Sequence, residues 1–273
     1  MILMRWAKAA LLTGGLVAAG FYFGTLCGRL QFAYGLLLPP SRPLLVLLLQ
    51  LLLSIGIVAV AAGVVACLFR PIWIAFIAFG LSAAAMLLGW EYGIPRVALA
   101  ASYGVVGMIY CYLVQQELRQ RVEFSVRVVA EGQAVLLIAL LAIALSGFYL
   151  GYSAQIQREG FSIPERYRNR MADEVSNRIA SAVPELFRDA IRTAAHQQLE
   201  GLLSDQFRRT VRPFERYIPV VAAALLLLPL LAAAYLLSWA PIMVLWVVFL
   251  ALRLLRVVKV TTETIQVRRL VIG

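Results

Sequence analysis

The stretch Pro43–Leu68, PLLVLLLQLLLSIGIVAVAAGVVACL, decides the class of this protein. It contains no charged residue, and Gln50 is its one strongly polar side chain. A bilayer core about 30 Å thick is crossed by roughly 20 consecutive apolar residues in an α-helix. The stretch therefore predicts a membrane-spanning helix, and the pair Arg70-Pro71 predicts where that helix ends.

The rest of the chain repeats this pattern. Hydrophobic residues make up 62% of the 273 residues, whereas soluble domains contain about 45–50%. The apolar runs are continuous rather than alternating, which argues against a β-barrel. The sequence predicts an all-α, polytopic transmembrane bundle of six or seven spans. The other apolar runs are Ala9–Cys27, Ile72–Trp90, Val97–Val114, Gln133–Tyr152, Tyr217–Leu237 and Ile242–Leu255.

Composition divides the chain into four predicted regions. Residues 1–153 form an N-terminal transmembrane region of four or five spans, with a charged interfacial helix near residues 116–131. Residues 154–216 form an amphipathic, helical extramembrane segment, and residues 217–256 form a C-terminal transmembrane hairpin. Residues 257–273 form a basic tail, whose β-branched residues favour a short strand.

The extramembrane segment is the one sizeable polar region and carries an apolar stripe at helical spacing. Ser162, three residues before Glu165, predicts the start of a helix through a capping box. A single apolar stripe must be buried against a preceding helix, the membrane surface, or the same helix of another subunit. The residues of this predicted interaction stripe are Phe187, Ile191, Leu199, Leu202 and Phe207.

Two groups of glycines recur every four residues within the apolar runs. Small residues at this spacing let helices approach closely in lipid. The spacing predicts helix packing, either within one chain, which is the more common case, or between the subunits of an oligomer. The glycines are Gly20, Gly24 and Gly28 in the first run and Gly147 and Gly151 in the fifth.

The charge pattern points to lipid rather than nucleic acid. The formal net charge is +11, and the basic residues flank the apolar runs, as the positive-inside bias and anionic headgroups predict. No signature of a DNA- or RNA-binding module is present. The predicted partners are therefore membrane lipid, and either further copies of the chain or another membrane protein.

No constellation of residues predicts catalysis. His196 is the only histidine, and it falls on a solvated helix face, so a Ser/His/Asp or Cys/His set would depend on it alone. The three cysteines lack the paired spacing of a zinc or redox site. We predict no catalytic residue, no metal and no cofactor. The cysteines are Cys27, Cys67 and Cys111.

The two ends of the chain give conflicting signals about topology. Arg5 and Lys8 precede the first run, and residues 253–269 contain five further basic residues, so both ends favour the cytoplasm. Seven spans would place the ends on opposite sides. The first run, which is short and broken by glycines, is the weakest candidate span. We expect the tail and residues 154–216 to lie inside.

Two short segments carry a resemblance to a known group of proteins. Phe124-Ser125-Val126-Arg127 and the tail segment 258–264, VKVTTET, resemble those of uncharacterised multispan membrane proteins from reduced-genome bacteria. The resemblance covers a small part of the chain and implies no activity.

The sequence as a whole predicts a multi-pass protein of a prokaryotic cytoplasmic membrane. Its interior lacks ionisable residues near the middle of a span, which argues against proton-coupled transport. We expect a non-enzymatic scaffold or a subunit of a membrane assembly. The alternative is a channel or transporter for a small neutral or apolar solute.

Overall fold

The structure, a computed structural model, describes residues 2–33, 42–69, 71–90, 93–120, 126–159, 214, 217–237 and 239–254. Within these ranges the regular elements are all α-helices, as predicted. The predicted interaction stripe and the basic tail lie outside the described residues. The helices are α1 (Ile2–Gln31), α2 (Arg42–Leu68), α3 (Ile72–Gly89), α4 (Ile94–Gln120), α5 (Val126–Glu159), α6 (Ile218–Leu237) and α7 (Trp239–Leu254).

Prolines set the boundaries between α2, α3 and α4. Pro71 precedes α3 in an extended conformation, with φ −82° and ψ 162°, because a proline cannot continue the preceding helix. Pro95 stands in the first turn of α4, where a missing N–H costs nothing. The N–H groups of Arg96 and Val97 there donate to the Gly93 carbonyl, at 3.0 and 3.1 Å.

Six of these helices, α1 to α6, are long and apolar enough to cross a bilayer. The first apolar run is one of them, since the span extends over Ala9–Gln31. From the sequence, this run was the weakest candidate for a membrane span. The run that falls short is the seventh, because α7 has 16 residues and is only about 24 Å long at 1.5 Å per residue.

The interfacial helix predicted near residues 116–131 is only partly covered by the described residues, since residues 121–125 lie outside them. Helix α4 continues to Gln120, and α5 begins at Val126. The physical reason is that Gln, Glu and Arg are good helix formers, so each spanning helix extends past its apolar run into the charged sequence. In the same way, residues 154–159 of the predicted extramembrane segment continue α5.

The described chain divides into two compact units. The first contains the described parts of Met1–Gly28, Leu48–Ala144 and Leu228–Gly273, and the second those of Arg29–Leu47 and Leu145–Leu227. In the first unit, α3 packs against α4. In the second, the rings of Phe148 and Tyr152 lie 5.9 Å apart on successive turns of α5.

The outward faces of the spanning helices are apolar. Leu49 and Leu53 on α2 are 64% and 61% exposed, and Ile138 on α5 is 57% exposed. Such a surface is stable only in contact with lipid or another apolar surface. The inward faces are also apolar, with few exceptions. The buried polar side chains of the described residues are Gln31, Ser54, Ser82 and Gln133.

Candidate functional site: the glycine and polar contacts between helices

The first glycine group forms a seam between α1 and α3. A Cβ atom on Gly20 would lie 2.7 Å from the Ser82 carbonyl oxygen, and one on Gly24 would lie 2.9 Å from the Met86 carbonyl carbon. Only glycine allows the two backbones to approach this closely. Both residue numbers rise together along the seam, so α1 and α3 run parallel. The facing pairs are Gly20 with Ser82, Gly24 with Met86, and Gly28 with Gly89.

At the Gly28 end of the seam, a glycine of α3 also approaches the backbone of α1. A Cβ on Gly89 of α3 would stand 2.6 Å from the carbonyl oxygen of Phe21 and 2.9 Å from the backbone nitrogen of Thr25. Glycines on both helices therefore make the contact. The contacts that the structure shows for Gly20, Gly24, Gly28 and Gly89 are made within one chain.

A hydrogen-bonded pair, Ser82 and Tyr103, ties α1, α3 and α4 together. The Ser82 hydroxyl donates to the Leu16 carbonyl of α1 at 2.9 Å, so the Tyr103 hydroxyl, 2.8 Å from the Ser82 oxygen, donates to Ser82. Both side chains are fully buried. The Tyr103 ring centroid lies 6.4 Å from that of Phe23 and 6.2 Å from that of Phe79.

Sequence reasoning missed this pair. The only available signal was that Ser82 and Tyr103 are polar groups inside otherwise apolar runs, where a hydroxyl needs a partner. Nothing in the spacing indicates that the two residues face each other. That relation comes from the antiparallel packing of α3 and α4, in which a Cβ on Gly107 of α4 would stand against the Phe79 ring.

A second polar contact closes the end of α2. The Gln115 side chain of α4 donates through Nε2 to the carbonyls of Phe69, at 2.9 Å, and Ala66, at 3.3 Å. The last carbonyls of a helix lack intrahelical donors, so Gln115 satisfies groups that would otherwise need water. Gln115 lies immediately before the interfacial helix predicted near residues 116–131, and its side chain caps the end of α2.

A third polar contact joins α5 to α2, further from the end of α2 than the Gln115 contact. Gln133 donates through Nε2 to the Ala59 carbonyl at 3.2 Å, and a Cβ on Gly63 would lie 3.1 Å from Val129. Residue numbers rise on α2 as they fall on α5, so these two helices run antiparallel.

Two polar atoms in this region have no hydrogen-bond partner within the part of the chain that the structure describes. They are the Tyr110 hydroxyl of α4 and Oε1 of Gln133, on side chains 3% and 1% exposed. Leaving such a group unpaired costs about 1–3 kcal/mol. The Tyr110 ring packs on α5, 3.0 Å from where a Cβ on Gly132 would stand. The region offers hydrogen-bonding groups without charge.

The second predicted glycine group lies in the second unit. A Cβ on Gly151 would stand against the Gln31 side chain and 2.8 Å from the Gln31 carbonyl oxygen, so this glycine also serves a contact within the chain. Gly147, one turn before it, is buried.

The cysteines of the described helices are free thiols. Cys27 and Cys111 are buried, and Cys67 is half-buried. Among the residues placed by the structure, no three His, Cys, Asp or Glu side chains group together as metal ligands would. Glu91, the acidic residue between α3 and α4, lies outside the described ranges.

Apolar helices long enough to span, with apolar outward surfaces, define the class: the chain is a multi-pass integral membrane protein. Comparison with known proteins adds no relative, since no family model, curated protein or solved structure matches the chain. Its function must therefore be argued from its own residues.

Proposed function

We propose that this protein is a non-enzymatic membrane scaffold, or a subunit of a membrane assembly, that acts by association. The observation that carries the proposal is the close packing of α1 against α3 in the first unit. The backbones touch along the α1–α3 seam, and Leu16, Phe23 and Phe79 are fully buried. Helices in such close contact leave no space for a solute between them, so their apolar outer faces are the surface available for association.

Helix α6, the least covered of the six spanning helices, supplies such a surface. In α6, 17% of the most apolar stretch is buried, against 33–50% in the other five spans. Leu226 and Leu230 face inward, whereas Leu225 and Leu228 are 65% and 68% exposed. This outward face of α6, defined by Leu225 and Leu228, is apolar and exposed enough to contact a helix of another membrane protein.

A second candidate function is a channel or transporter for a small neutral solute. The observation that favours it is the pair of buried, uncharged polar atoms, the Tyr110 hydroxyl and Gln133 Oε1. Uncharged hydrogen-bonding groups at membrane depth can bind a neutral solute directly, without a charged partner.

Mass measurement in a mild detergent tests the first proposal. The full chain has a mass of 30.1 kDa. We expect native mass spectrometry to find it in a larger particle, either an integral multiple of the chain or a complex with a stoichiometric partner. A strictly monomeric particle that copurifies with nothing would contradict the scaffold proposal.

Solute flux into sealed liposomes separates the two candidates. For a scaffold, we expect protein-containing liposomes to take up small neutral solutes no faster than protein-free ones. Faster uptake that is lost in the variant Tyr110→Phe, and retained in Tyr112→Phe on the exposed side of the same helix, would support the transporter and contradict the scaffold.

A further inference from the structure

Helix α6 differs from the other described helices in where it carries proline. Elsewhere in the described helices, and at the start of α6 itself, prolines stand in the first turn, where no intrahelical hydrogen bond is lost. Pro229 instead lies inside α6, so it removes a hydrogen bond from the helix interior. The first-turn prolines are Pro43, Pro95, Pro219 and Pro241.

The group that loses its partner is the main-chain carbonyl of Leu225. In an α-helix this carbonyl accepts from the N–H four residues later, and Pro229 has no N–H. Helix α6 contains no Ser, Thr, Asn or Gln that could replace the missing donor. Its one side-chain donor, Tyr235, lies about 15 Å further along the axis at 1.5 Å per residue.

The freed carbonyl belongs to the outward face of α6. Residues four apart share one face of a helix, and Leu225, 65% exposed, and Pro229 are both exposed. The next residue after each of them, Leu226 and Leu230, is buried. The carbonyl is therefore open on the side of the helix that faces away from the bundle.

Lipid cannot supply the missing donor. Helix α6 is long and apolar enough to cross a bilayer by itself, and Leu225 lies about 10 Å along its axis from Ile218, within a hydrocarbon core about 30 Å thick. Prolines inside spanning helices are tolerated where a neighbouring helix, a side chain or water satisfies the freed backbone group. The outward face of α6 thus lacks one donor.

We propose that the outward face of α6 binds a transmembrane helix whose side chain donates a hydrogen bond to the Leu225 carbonyl. The proposal rests on the scaffold function proposed above and specifies the chemistry of its partner. A Ser, Thr, Asn or Gln side chain is suitable, because each is a neutral donor that spanning helices use to bind one another. A charged donor would be costly at this depth.

The hydrogen bond would also determine how the partner is placed. Lipid tails and leucine side chains are equally apolar, so an apolar face alone would let a partner helix slide along α6. A donor opposite the Leu225 carbonyl fixes the depth and the rotation of the partner helix. The exposed side chains of Leu225 and Leu228 then provide the van der Waals contact around that bond.

Binding of a synthetic helix to the full-length chain in liposomes tests the proposal. The probe is a spanning polyleucine peptide with lysines at both ends and one central serine, and the reference peptide has alanine in place of serine. Energy transfer between labelled protein and labelled peptide, at a peptide-to-lipid ratio low enough to keep the peptide monomeric, measures the dissociation constant. We expect the serine peptide to bind about threefold to tenfold more tightly, as for one interhelical hydrogen bond.

The decisive variant is Pro229→Ala, which restores an N–H at residue 229 and returns the Leu225 carbonyl to the helix. The two peptides should then bind equally. Pro95→Ala is the matched control, because Pro95 stands in the first turn of α4 and its substitution occupies no helical carbonyl. The preference for serine should persist there. Pro229→Leu supplies the same N–H if Pro229→Ala does not fold.

Equal binding of the two peptides by the unsubstituted chain would overturn the proposal, as would a preference for serine that survives in Pro229→Ala. Native mass separates this result from the scaffold function. A monomeric particle that still prefers the serine peptide would contradict the scaffold and support the carbonyl site. A larger particle that binds both peptides equally would support the scaffold and overturn the carbonyl site.

Discussion

The α1–α3 seam and helix α6 are held in lipid in different ways. In the seam, glycines bring backbones into contact, and the buried Ser82–Tyr103 pair adds hydrogen bonds that also reach α4. Helix α6, in contrast, is mostly uncovered. Lipid tails are as apolar as leucine, so close packing and hydrogen bonds, rather than burial alone, hold helices together in a membrane. We therefore expect the seam to be the more stable of the two regions.

Proline sharpens the contrast. Pro229 lies inside α6, whereas α1 and α3 have no internal proline. Pro229 removes a backbone hydrogen bond that lipid cannot replace. Helix α6 thus gives up stability that the seam retains, and its exposed face is the region where a partner can contribute most.

The largest expected effect comes from breaking the seam at Gly24. The substitution Gly24→Leu would drive a side chain into the Met86 backbone, which cannot move without separating α1 from α3. We expect the free energy of unfolding to fall by about 3 kcal/mol or more, the upper end of overpacking costs. Titration with SDS from a mild detergent, followed by circular dichroism, measures the change.

The matched control is Gly14→Leu on the same helix, where a Cβ would have open space. Its unfolding free energy should stay within about 0.5 kcal/mol of the unsubstituted protein. Equal losses at the two positions would show that leucine disturbs α1 itself and that the seam has no special role.

The Ser82–Tyr103 pair should give the next largest effect. Ser82→Ala removes the hydroxyl that links α1, α3 and α4 and leaves the buried Tyr103 hydroxyl without its acceptor. We expect each of Ser82→Ala and Tyr103→Phe to cost about 1–2 kcal/mol. The double variant should cost less than the sum of the two, by about 0.5 kcal/mol or more.

Ser102→Ala provides the comparison for this cycle, because the Ser102 hydroxyl is exposed and bonds within its own helix, to the Ala98 carbonyl at 2.9 Å. Its effect should be below about 0.5 kcal/mol. Strict additivity of Ser82→Ala and Tyr103→Phe would mean that the two hydroxyls do not stabilise each other.

The seam and the C-terminal helices α6 and α7 also differ in how far the sequence predicts them. The glycine spacing predicted a close approach through Gly20, Gly24 and Gly28, because that signal is local to one helix. It could not identify Ser82 as the facing residue, since the choice among neighbouring helices depends on tertiary packing. Continuous hydrophobicity predicted the runs, but the same signal treated α7 as a further span.

The charged stretch between α4 and α5 also shows which features the local sequence predicts and which depend on tertiary packing. Its composition is that of a headgroup-level helix, and the sequence therefore predicted one near residues 116–131. Whether a glutamine there faces water or a helix end depends on the neighbouring α2. Gln115 reaches the Phe69 carbonyl because α4 runs beside α2 to the same end.

Substitutions at Gln115 and Gln133 compare a glutamine that makes two hydrogen bonds with one whose amide oxygen has no described partner. Gln115→Leu removes two hydrogen bonds to backbone carbonyls, and we expect it to cost about 1 kcal/mol, within the range of interhelical hydrogen bonds in lipid. Gln133→Leu removes one bond to Ala59 and also an amide oxygen without a described partner. We expect its unfolding free energy to change by less than about 0.5 kcal/mol.

Thermal unfolding in detergent, with both variants measured side by side, checks this prediction. If Gln133→Leu proved the more damaging of the two, the amide oxygen of Gln133 would have a partner that stabilises the fold, and the neutral-solute alternative would lose part of the observation on which it rests.

The smallest effect on stability, and the sharpest test of α6 as a binding surface, comes from its outward face. Leu225→Ala with Leu228→Ala shortens two side chains that are 65% and 68% exposed, so the unfolding free energy should change by less than about 0.5 kcal/mol. The mass of the native particle should nevertheless fall, because a partner helix would lose its contact surface. Leu49→Ala with Leu53→Ala on α2 is the matched control, with nearly equal exposure on a helix that is better covered. If both double variants kept the same particle mass, α6 would face only lipid; if both lost it, association would not depend on α6 in particular.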